Sequence, residues 1–367
     1  MATSVLVQIM KILLVGEASR VHRNLKIGLT SFGAECRHVT QSDSTSWREF
    51  DDTFAPAHSG VLGGLARNVS PFIKISRLDD YDVINFTNTI TAVHGKYTKY
   101  LDIPWFRKKT KLMSYYALGC DEIGLIRKNE MLPYRPCVTC LESKDTLSRD
   151  CDLIFNPRYE KSQDLTRRYF DFAACSMIEY GHVEELFGGN FSRIQFPVDI
   201  SRIPFSPAKS RPSVNIIHTP TRRGFKGTST VLQAVEILKK RRNDFKFDLI
   251  EGLSYEAYIS RISEADIVVD QIYSQSPGMN GLEMMAAGKI VLTGATTLGR
   301  SYFGFMNESP AFDAPPEALL LADQLDQVID RKNEFSDLAE RGRSYVEINH
   351  SLIGVAEKFL NEWSARI

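Results

Sequence analysis

Residues 218–228 combine three cationic side chains, Arg222, Arg223 and Lys226, with two glycines and Thr228. An apolar run ends where this loop begins, and a helical pattern starts at Thr228. The N-terminal amides and the dipole of a helix favour negative charge, and arginine and lysine supply the counter-charge for a diphosphate. The alternative is a solvated basic loop in which Thr228 is an ordinary N-cap. The spacing by itself leaves both interpretations open.

A second loop, residues 276–281 with the sequence SPGMNG, precedes a predicted helix that carries Glu283 in its first turn. A carboxylate at a helix N-terminus can simply complement the dipole. Beside a phosphate-binding loop it is also suited to binding the vicinal hydroxyls of a ribose. The two loops together would hold both ends of a sugar nucleotide.

The elements that must position these loops follow a regular pattern. Short apolar runs alternate with segments of helical period, which is typical of parallel strands joined by crossover helices. In the first half we predict a helix over Val21–Ser31. The strands predicted there are Lys11–Val15, Glu35–Val39, Val83–Phe86, Lys111–Tyr115, Leu153–Phe155 and Phe172–Ser176.

Residues 196–213 contain four prolines, and the alternation restarts after them. Proline-rich, extended chain suits an interdomain connection. The strands predicted beyond it are Val214–His218, Phe247–Ile250, Ile267–Asp270 and Ile290–Leu292. The helices predicted there are Ser229–Arg242, Tyr255–Ser263, Asn280–Ala287, Glu317–Asp330, Asn333–Arg343 and Leu352–Ala365.

The pattern predicts an α/β protein with two Rossmann-like, doubly wound domains that face a central cleft. We place an N-terminal, acceptor-side domain at residues 1–200 and a C-terminal, donor-binding domain at 201–350. Residues 351–367 are predicted to form a final helix that packs back on the first domain.

Length and composition narrow the functional classes. The 367 residues suffice for about two domains that each bury a core. The 45 Lys and Arg residues balance 45 Asp and Glu residues, so we expect no nucleic-acid partner. No uncharged apolar run reaches the roughly 18 residues of a spanning helix, and residues 1–9 form a short tail without a cleavage site. We therefore expect a cytoplasmic protein with reduced cysteines.

The order of these segments resembles that of retaining glycosyltransferases of the two-Rossmann GT-B fold, of the family 4 or group 1 type. The similarity in layout covers nearly all of residues 11–365. Four matches in the family's order carry it: KGT at 226–228, DIVVDQ at 266–271, the glycine at 278 and LEMMAAGK at 282–289.

The resemblance implies roles for individual residues. Arg223 and Lys226 would bind the donor diphosphate and act in catalysis, and Glu283 would bind the ribose. Many members carry a glutamate eight positions before the ribose-binding one, where this chain has Gln275. That residue contacts the donor sugar in such enzymes, so the identity of the sugar stays open. The remaining residues expected at the donor are Gly16, Glu17, Arg222, Thr228, Gly278, Met279, Asn280, Gly281 and Leu282.

The N-terminal half matches the family less well. The loop of Gly16 and Glu17 lies where the family has a glycine-containing loop facing the diphosphate, but it lacks a full GxGxxG. Where relatives often read His-Gly-Ser-Asp, the histidine is missing, and Asp121 is the third candidate catalytic residue. Further candidates are Gly119 in the cleft, His94, Tyr115 and Tyr116 at the acceptor, and Asp199 in a structural turn.

The implied activity is transfer of a hexose-type unit, with retention of configuration, from a UDP- or GDP-linked sugar to a glycan or lipid-linked acceptor, as in polysaccharide biosynthesis. No cofactor is implied, because the departing phosphate helps to deprotonate the acceptor while protein cations stabilise that phosphate. Two alternatives are a sugar-nucleotide epimerase of similar fold and a sugar-nucleotide-binding module without activity.

Four cysteines, Cys120, Cys137, Cys140 and Cys151, fall within 32 positions. A CxxC pair flanked by one cysteine on each side is compatible with a structural zinc site, with zinc favoured over an iron–sulfur cluster. The alternative is that these cysteines are ordinary buried residues.

Residues 96–111 carry six cations, one anion and four aromatic side chains. Such a mixture suits the surface of an anionic bilayer, which favours peripheral contact with the inner face of a membrane. The alternative is a solvated loop before a strand.

Overall fold

The computed structural model describes residues 9–40, 49–54, 60–87, 90–93, 98–119, 132–137, 158–253, 255–303 and 310–367.

The first sheet has seven parallel strands in the order β3-β2-β1-β4-β5-β6-β7. Its interior strand β1 has four fully buried residues, Ile12 to Val15, as expected for a strand covered by helices on both faces. The strands are β1 (Lys11–Val15), β2 (Glu35–Thr40), β3 (Asp52–Thr53), β4 (Tyr81–Thr87), β5 (Thr110–Ala117), β6 (Phe172–Cys175) and β7 (Phe191–Arg193). The helices of this half are α1 (Val21–Ser31), α2 (Gly60–Ser76), α3 (Ile103–Arg107), α4 (Arg158–Tyr169) and α5 (His182–Phe187).

The second sheet has five parallel strands in the order β12-β11-β10-β8-β9. The strands are β8 (Val214–His218), β9 (Phe245–Leu249), β10 (Ile267–Val269), β11 (Ile290–Thr293) and β12 (Phe312–Asp313). The helices are α6 (Arg223–Lys226), α7 (Thr228–Lys239), α8 (Tyr255–Glu264), α9 (Met279–Ala286), α10 (Thr297–Phe303), α11 (Ala318–Asp330) and α12 (Phe335–Asn349). The predicted α/β fold with two parallel-sheet domains is confirmed.

In both sheets, strands that follow one another in the chain are added first to one side and then to the other side of the first strand. In the first sheet β2 and β4 lie on opposite sides of β1, and in the second sheet β9 and β10 lie on opposite sides of β8. Ligands of open α/β sheets bind outside the carboxyl ends of strands at such switch points. The fold therefore directs attention to the loops that follow β1 and β8.

Predicted and observed elements agree best where an apolar run has clear ends. The bounds of β1, α1 and β8 are those predicted from the sequence. The described strands and α-helices that were not predicted are β3, β7, β12, α2, α3, α4, α5, α6 and α10. Of these, β3 has only two residues, and α2 contains Pro71, which obscures its helical period. The predicted strand 153–155 lies outside the described residues.

The last helix, α13 (Leu352–Ser364), packs on α1 of the first half. A Cβ placed on Gly28 would lie only 2.3 Å from the carbonyl oxygen of Leu352, so the close approach of the two helices requires glycine there. Trp363 is fully buried, and its Nε1 donates a hydrogen bond of 3.0 Å to Ser114 Oγ in β5. The chain thus returns to the first sheet after completing the second.

Candidate functional site

A cavity of about 580 Å³ lies between the two sheets. Loops after β1, β5 and β6 line it from the first half, and loops after β8, β9 and β10 line it from the second half. The lining residues include Ser19, Gly119, Met177, Tyr180, Thr219, Arg222, Lys226, Glu251, Tyr258, Gln271, Ser274, Gly278, Met279 and Asn280. The cavity therefore sits at both switch points.

The loop after β8 turns sharply into two consecutive helices. Gly227 separates α6 from α7 with φ of 75°, in the left-handed region, and a Cβ there would lie 2.3 Å from Ile272. Thr228 is the first residue of α7 rather than its N-cap, which is Gly227. The Thr228 hydroxyl lies 2.9 Å from Nε2 of His218, so the capping interpretation of Thr228 is wrong.

Lys226, which lines the cavity, is joined to a buried carboxylate. Its Nζ donates to Asp270 Oδ1 at 2.6 Å, and Asn280 Nδ2 donates to the same oxygen at 2.7 Å. Thr293 donates to the other oxygen, Oδ2, at 3.2 Å. Asp270 is 1% exposed and so fixes both predicted donor loops against each other. This role of Asp270 was not predicted, although a polar residue at the carboxyl end of an apolar strand indicates it.

The two arginines of the loop have different surroundings. Arg222 lines the cavity, and its guanidinium lies 4.1 Å from the ring centre of Phe225. Arg223 is half exposed at the rim, where Nε donates to Glu251 Oε1 at 2.9 Å and Nη2 donates to Oε2. The bidentate pair lowers the pKa of Glu251. Arg222 is thus the arginine that lines the cavity, while Arg223 is placed at its edge.

The N-terminus of α9 forms another part of the wall. Gly278 precedes the helix, and the cavity is lined by Gly278, Met279 and Asn280. The first turn of a helix has amide groups without intrahelical partners, which suit an anion. Gly281 faces inward, since a Cβ on it would lie 3.1 Å from Asp270 Oδ2, and Leu282 is 1% exposed in the core.

Glu283 faces a neighbouring cavity of about 80 Å³ rather than the large one. Its Oε1 lies 3.7 Å from Nη2 of Arg20, which comes from the loop after β1. Burial raises the pKa of Glu283, and the Arg20 charge opposes that shift. Tyr258 lines both cavities and donates a hydrogen bond of 2.9 Å to Asn280 Oδ1. No local sequence pattern indicates Arg20, because its partner Glu283 lies far along the chain.

Gln275 is turned away from the large cavity. Its Oε1 accepts a hydrogen bond of 3.0 Å from Thr296, and its Nε2 donates to the Tyr134 carbonyl oxygen at 3.3 Å. Gln275 and Leu282 instead line an interior cavity of about 30 Å³. The structure therefore does not bring the Gln275 side chain together with Lys226 and Arg222.

Two buried histidines form hydrogen bonds with the start of the loop that begins at Gly16. His22 Nδ1 and His38 Nε2 each donate to the Gly16 carbonyl oxygen at 2.9 Å. Burial lowers the pKa of His22 to about 3, so this histidine is neutral at physiological pH. Glu17 is 5% exposed, and its Oε2 accepts a hydrogen bond of 3.0 Å from the Arg23 amide. In this loop Ser19 lines the large cavity, whereas Gly16 and Glu17 do not.

The acceptor candidates in β5 are part of the core. Tyr115 and Tyr116 are fully buried, and Tyr116 donates to the carbonyl oxygens of Ile194 at 3.1 Å and Gln195 at 2.9 Å. Their predicted contact with an acceptor is therefore wrong. Gly119 does line the cavity, whereas His94 and the candidate catalytic residue Asp121 lie outside the described residues.

Asp199 accepts a hydrogen bond of 2.8 Å from Nη1 of Arg23. This ion pair joins the crossover between the sheets to α1, which fits the structural role expected for Asp199.

Of the four cysteines in the predicted zinc site, the structure describes only Cys137, which packs against the core of the first half. Cys120, Cys140 and Cys151 lie outside the described residues. Within the described ranges, no three His, Cys, Asp or Glu side chains are grouped as metal ligands would be. The zinc site stays a prediction.

The cations described in the 96–111 segment are largely paired. Lys111 Nζ lies 2.7 Å from Asp82, Lys109 Nζ lies 3.8 Å from Asp80, and Arg107 Nη1 lies 3.6 Å from Asp171. The positive charge of this stretch is thus partly offset by neighbouring carboxylates. Apolar side chains nevertheless remain exposed on α2, on α3 and in the turn before α3: Val69, Ile73, Trp105 and Leu101.

None of the described helices combines the length and apolar character needed to cross a bilayer.

Family models and curated proteins that were compared with the sequence give no match. Solved structures share the fold. HepE of Anabaena, solved with UDP and glucose, is 13% identical and has a TM-score of 0.61, covering 97% of this chain and 100% of that one. Sucrose-phosphate synthase of Thermosynechococcus elongatus is 12% identical with a TM-score of 0.64, covering 97% of this chain and 98% of that one.

A UDP-GlcNAc 2-epimerase of Neisseria meningitidis, bound to UDP-GlcNAc, is also similar in structure. It is 12% identical with a TM-score of 0.55, covering 97% of this chain and 100% of that one. The chain therefore has the two-domain GT-B architecture, which it shares with a sucrose-phosphate synthase and an epimerase. At this level of identity the similarity establishes the fold alone.

Proposed function

We propose that this protein is a retaining glycosyltransferase that moves a hexose-type unit from a UDP- or GDP-linked sugar to a glycan or lipid-linked acceptor. The observation that carries the proposal is the cavity at both switch points, where Lys226, Arg222 and the N-terminus of α9 converge. A nucleoside diphosphate carries the negative charge that such a wall favours. The neighbours solved with UDP or UDP-sugar add support at the level of fold.

In this proposal catalysis depends on positioning and electrostatics. Lys226 and Arg222 stabilise the charge that develops on the departing diphosphate, and the amides of the first turn of α9 assist them. Arg223 joins them if it exchanges Glu251 for the phosphate. The departing phosphate itself accepts the acceptor proton, so no protein nucleophile is required. Glu283 receives the ribose hydroxyls, and no cofactor takes part.

A sugar-nucleotide epimerase is the second candidate, favoured by the epimerase among the structural neighbours. A binding module without activity is the third. The three differ in what happens to the donor. A transferase slowly hydrolyses it when no acceptor is present, an epimerase inverts a sugar carbon of the free sugar nucleotide, and a module binds it unchanged.

A thermal-shift screen across UDP-, GDP- and ADP-sugars tests the proposal first. A ligand at about 100 times its Kd adds about 2.7 kcal/mol to the free energy of unfolding, which raises Tm by several degrees. The best ligand is then followed for hydrolysis by chromatography. Absence of a shift with every sugar nucleotide would contradict both the transferase and its two rivals.

The structural zinc site is a separate proposal about Cys120, Cys137, Cys140 and Cys151. Four thiolates suit tetrahedral zinc and would tie the segment after β5 together. Metal analysis of protein purified without a nickel column should find about one zinc per chain. Less than about a tenth of an equivalent of zinc or iron would overturn this proposal.

We also propose a cytoplasmic location with peripheral contact at the inner face of the membrane. The support is the exposed apolar surface of α2 and α3 beside the cations of residues 96–111.

A further inference from the structure

A carboxylate of the first domain enters the second domain beside the proposed donor site. Glu179 lies in the 3-10 turn Ile178–Tyr180, directly after β6, and is fully buried. Its Oε1 accepts hydrogen bonds from the Gln275 amide at 2.6 Å, from the Ser276 amide at 3.3 Å and from the Ser274 hydroxyl. Three donors from one loop thus converge on one oxygen of a residue about 95 positions away in sequence.

This loop leads directly into the wall of the cavity. Ser274 lines the cavity, and residues 277–278 connect the loop to α9. The opposite side of the loop is packed against two glycines. A Cβ on Gly294 would lie 2.3 Å from the Ser274 carbonyl oxygen, and one on Gly299 would lie 2.0 Å from that of Gln275. The loop is therefore clamped between its own domain and Glu179.

A buried carboxylate is costly unless donors compensate it. Here the donors are two successive backbone amides and a hydroxyl, so the loop must keep this conformation for Glu179 to stay in place. Oε2 of Glu179 accepts no hydrogen bond from any residue that the structure describes. Burial raises the pKa of Glu179, and the three donors oppose that shift. The contact couples the docking of the two domains to the shape of the loop.

We propose that Glu179 is a positioning residue of the donor site, which holds residues 274–276 and thereby sets the loop and helix that receive the donor. The expected effect of Glu179 on donor binding rests on the proposed function, whereas its effect on the conformation of the loop does not. Nearby contacts between the same two domains add to the docking: the Arg193 guanidinium lies 4.0 Å from the ring centre of Tyr302, and its Nη1 donates to the Tyr302 carbonyl oxygen.

Hydrogen–deuterium exchange of the full chain without ligand tests the structural part. In Glu179→Ala the amides of Gln275 and Ser276 lose their acceptor, and we expect their exchange to accelerate about tenfold or more. Glu179→Gln retains an oxygen acceptor and should preserve most of the protection. Glu185→Ala changes an exposed glutamate of the neighbouring helix and should leave exchange as in the wild type. Unchanged exchange at 275–276 in a folded Glu179→Ala variant would overturn the proposal.

If Glu179→Ala fails to fold, Ser274→Ala takes its place, because it removes one of the three donors to Glu179 and leaves the carboxylate itself unchanged. Exchange at 275–276 should then rise by a smaller factor, and an unchanged rate would again overturn the proposal.

Isothermal titration with UDP-glucose tests the donor part. We expect Glu179→Ala to weaken binding about tenfold and Glu179→Gln to restore it to within about threefold, as for loss and return of one charged hydrogen bond. Equal binding by wild type and Glu179→Ala would refute the link to the donor. If the wild type binds no sugar nucleotide, the proposed function fails, while the exchange experiment still decides whether Glu179 holds the loop.

Discussion

Arg20 and Glu283 face each other across the two domains, with Nη2 and Oε1 3.7 Å apart. Arg20 and its neighbour Ser19 both have left-handed backbone, with φ of 64° and 51°. Such backbone costs about 1–3 kcal/mol per residue, and non-glycine residues in this region cluster at functional sites. The loop after β1 thus places a cation beside the carboxylate proposed to bind ribose, so ribose hydroxyls and Arg20 would share Glu283.

This arrangement predicts that donor binding weakens as the pH falls. Burial raises the pKa of Glu283, so its carboxylate takes up a proton at a higher pH than an ordinary glutamate. The ionised form is the better acceptor for ribose hydroxyls. Affinity should therefore be full above the raised pKa and decline as the pH falls through it. Titration with UDP-glucose between about pH 5 and 8 measures this, since a sugar-diphosphate diester does not itself titrate there.

The matched variant for the pH experiment is Glu283→Gln. It should bind more weakly than the wild type at neutral pH and show a flatter pH profile. A profile as steep as that of the wild type would assign the titration to another group.

Replacing Lys226 should damage donor binding more than it damages the fold. Lys226→Ala removes a charged hydrogen bond to the diphosphate, worth about 2–3 kcal/mol, so Kd should rise about 30- to 160-fold and turnover should fall with it. Asp270 keeps the donors Asn280 and Thr293, which limits the loss of stability. Calorimetry and donor hydrolysis measure both effects.

Lys240→Ala is the control, because Lys240 is exposed at the end of α7. Its binding should equal that of the wild type. Turnover of Lys226→Ala near the wild-type value would show that Lys226 has no catalytic part.

The C-terminal helix should be essential for the stability of the first domain. Trp363 is fully buried, its ring centre lies 5.0 Å from that of Phe359, and its Nε1 donates a hydrogen bond to Ser114. Trp363→Ala should lower the free energy of unfolding by about 3–5 kcal/mol through cavity formation. Urea denaturation followed by far-UV circular dichroism measures the loss. Trp105→Ala removes a tryptophan that is 46% exposed and should cost about 1 kcal/mol or less, and equal losses in both variants would contradict the assigned anchor.

Membrane contact should depend on apolar side chains more than on charge. Leu101 is 50% and Trp105 46% exposed, while most neighbouring cations are paired. Leu101→Ser with Trp105→Ser should reduce co-sedimentation with vesicles of phosphatidylglycerol and phosphatidylcholine about tenfold. The double change Leu319→Ser and Leu320→Ser, at exposed leucines of α11 in the other domain, is the control. Absence of vesicle binding by the wild-type protein would contradict the proposed membrane contact.

The sequence predicts the scaffold of this protein better than its site contacts. The runs at β1 and β8 are short and mostly apolar, so their bounds follow largely from burial. β3 owes its existence to pairing with β2, which no local pattern encodes. Similarly, the spacing placed Lys226 and the 276–281 loop near each other, whereas Asp270, which joins them, acts through tertiary contacts.

Side-chain direction was the other limit of prediction. Gln275 lies in the expected loop, but hydrogen bonds to Thr296 and the Tyr134 carbonyl turn it inward. Tyr116 looked available at the end of a strand, yet its hydroxyl finds two carbonyl oxygens in the interior. Such choices depend on which partners the fold brings within reach, and Glu179 and Arg20 remained unnoticed for the same reason.

The return of α13 to α1 makes the second sheet an insertion into the first domain. The chain leaves and re-enters at neighbouring points, since the Val198 amide donates to the His350 carbonyl oxygen at 2.8 Å and Val198 bridges Ser351. Everything from the crossover to α12 is thus one continuous segment with its two ends side by side. A single replacement in the gene would therefore exchange the whole proposed donor domain, while the first domain would keep both of its parts.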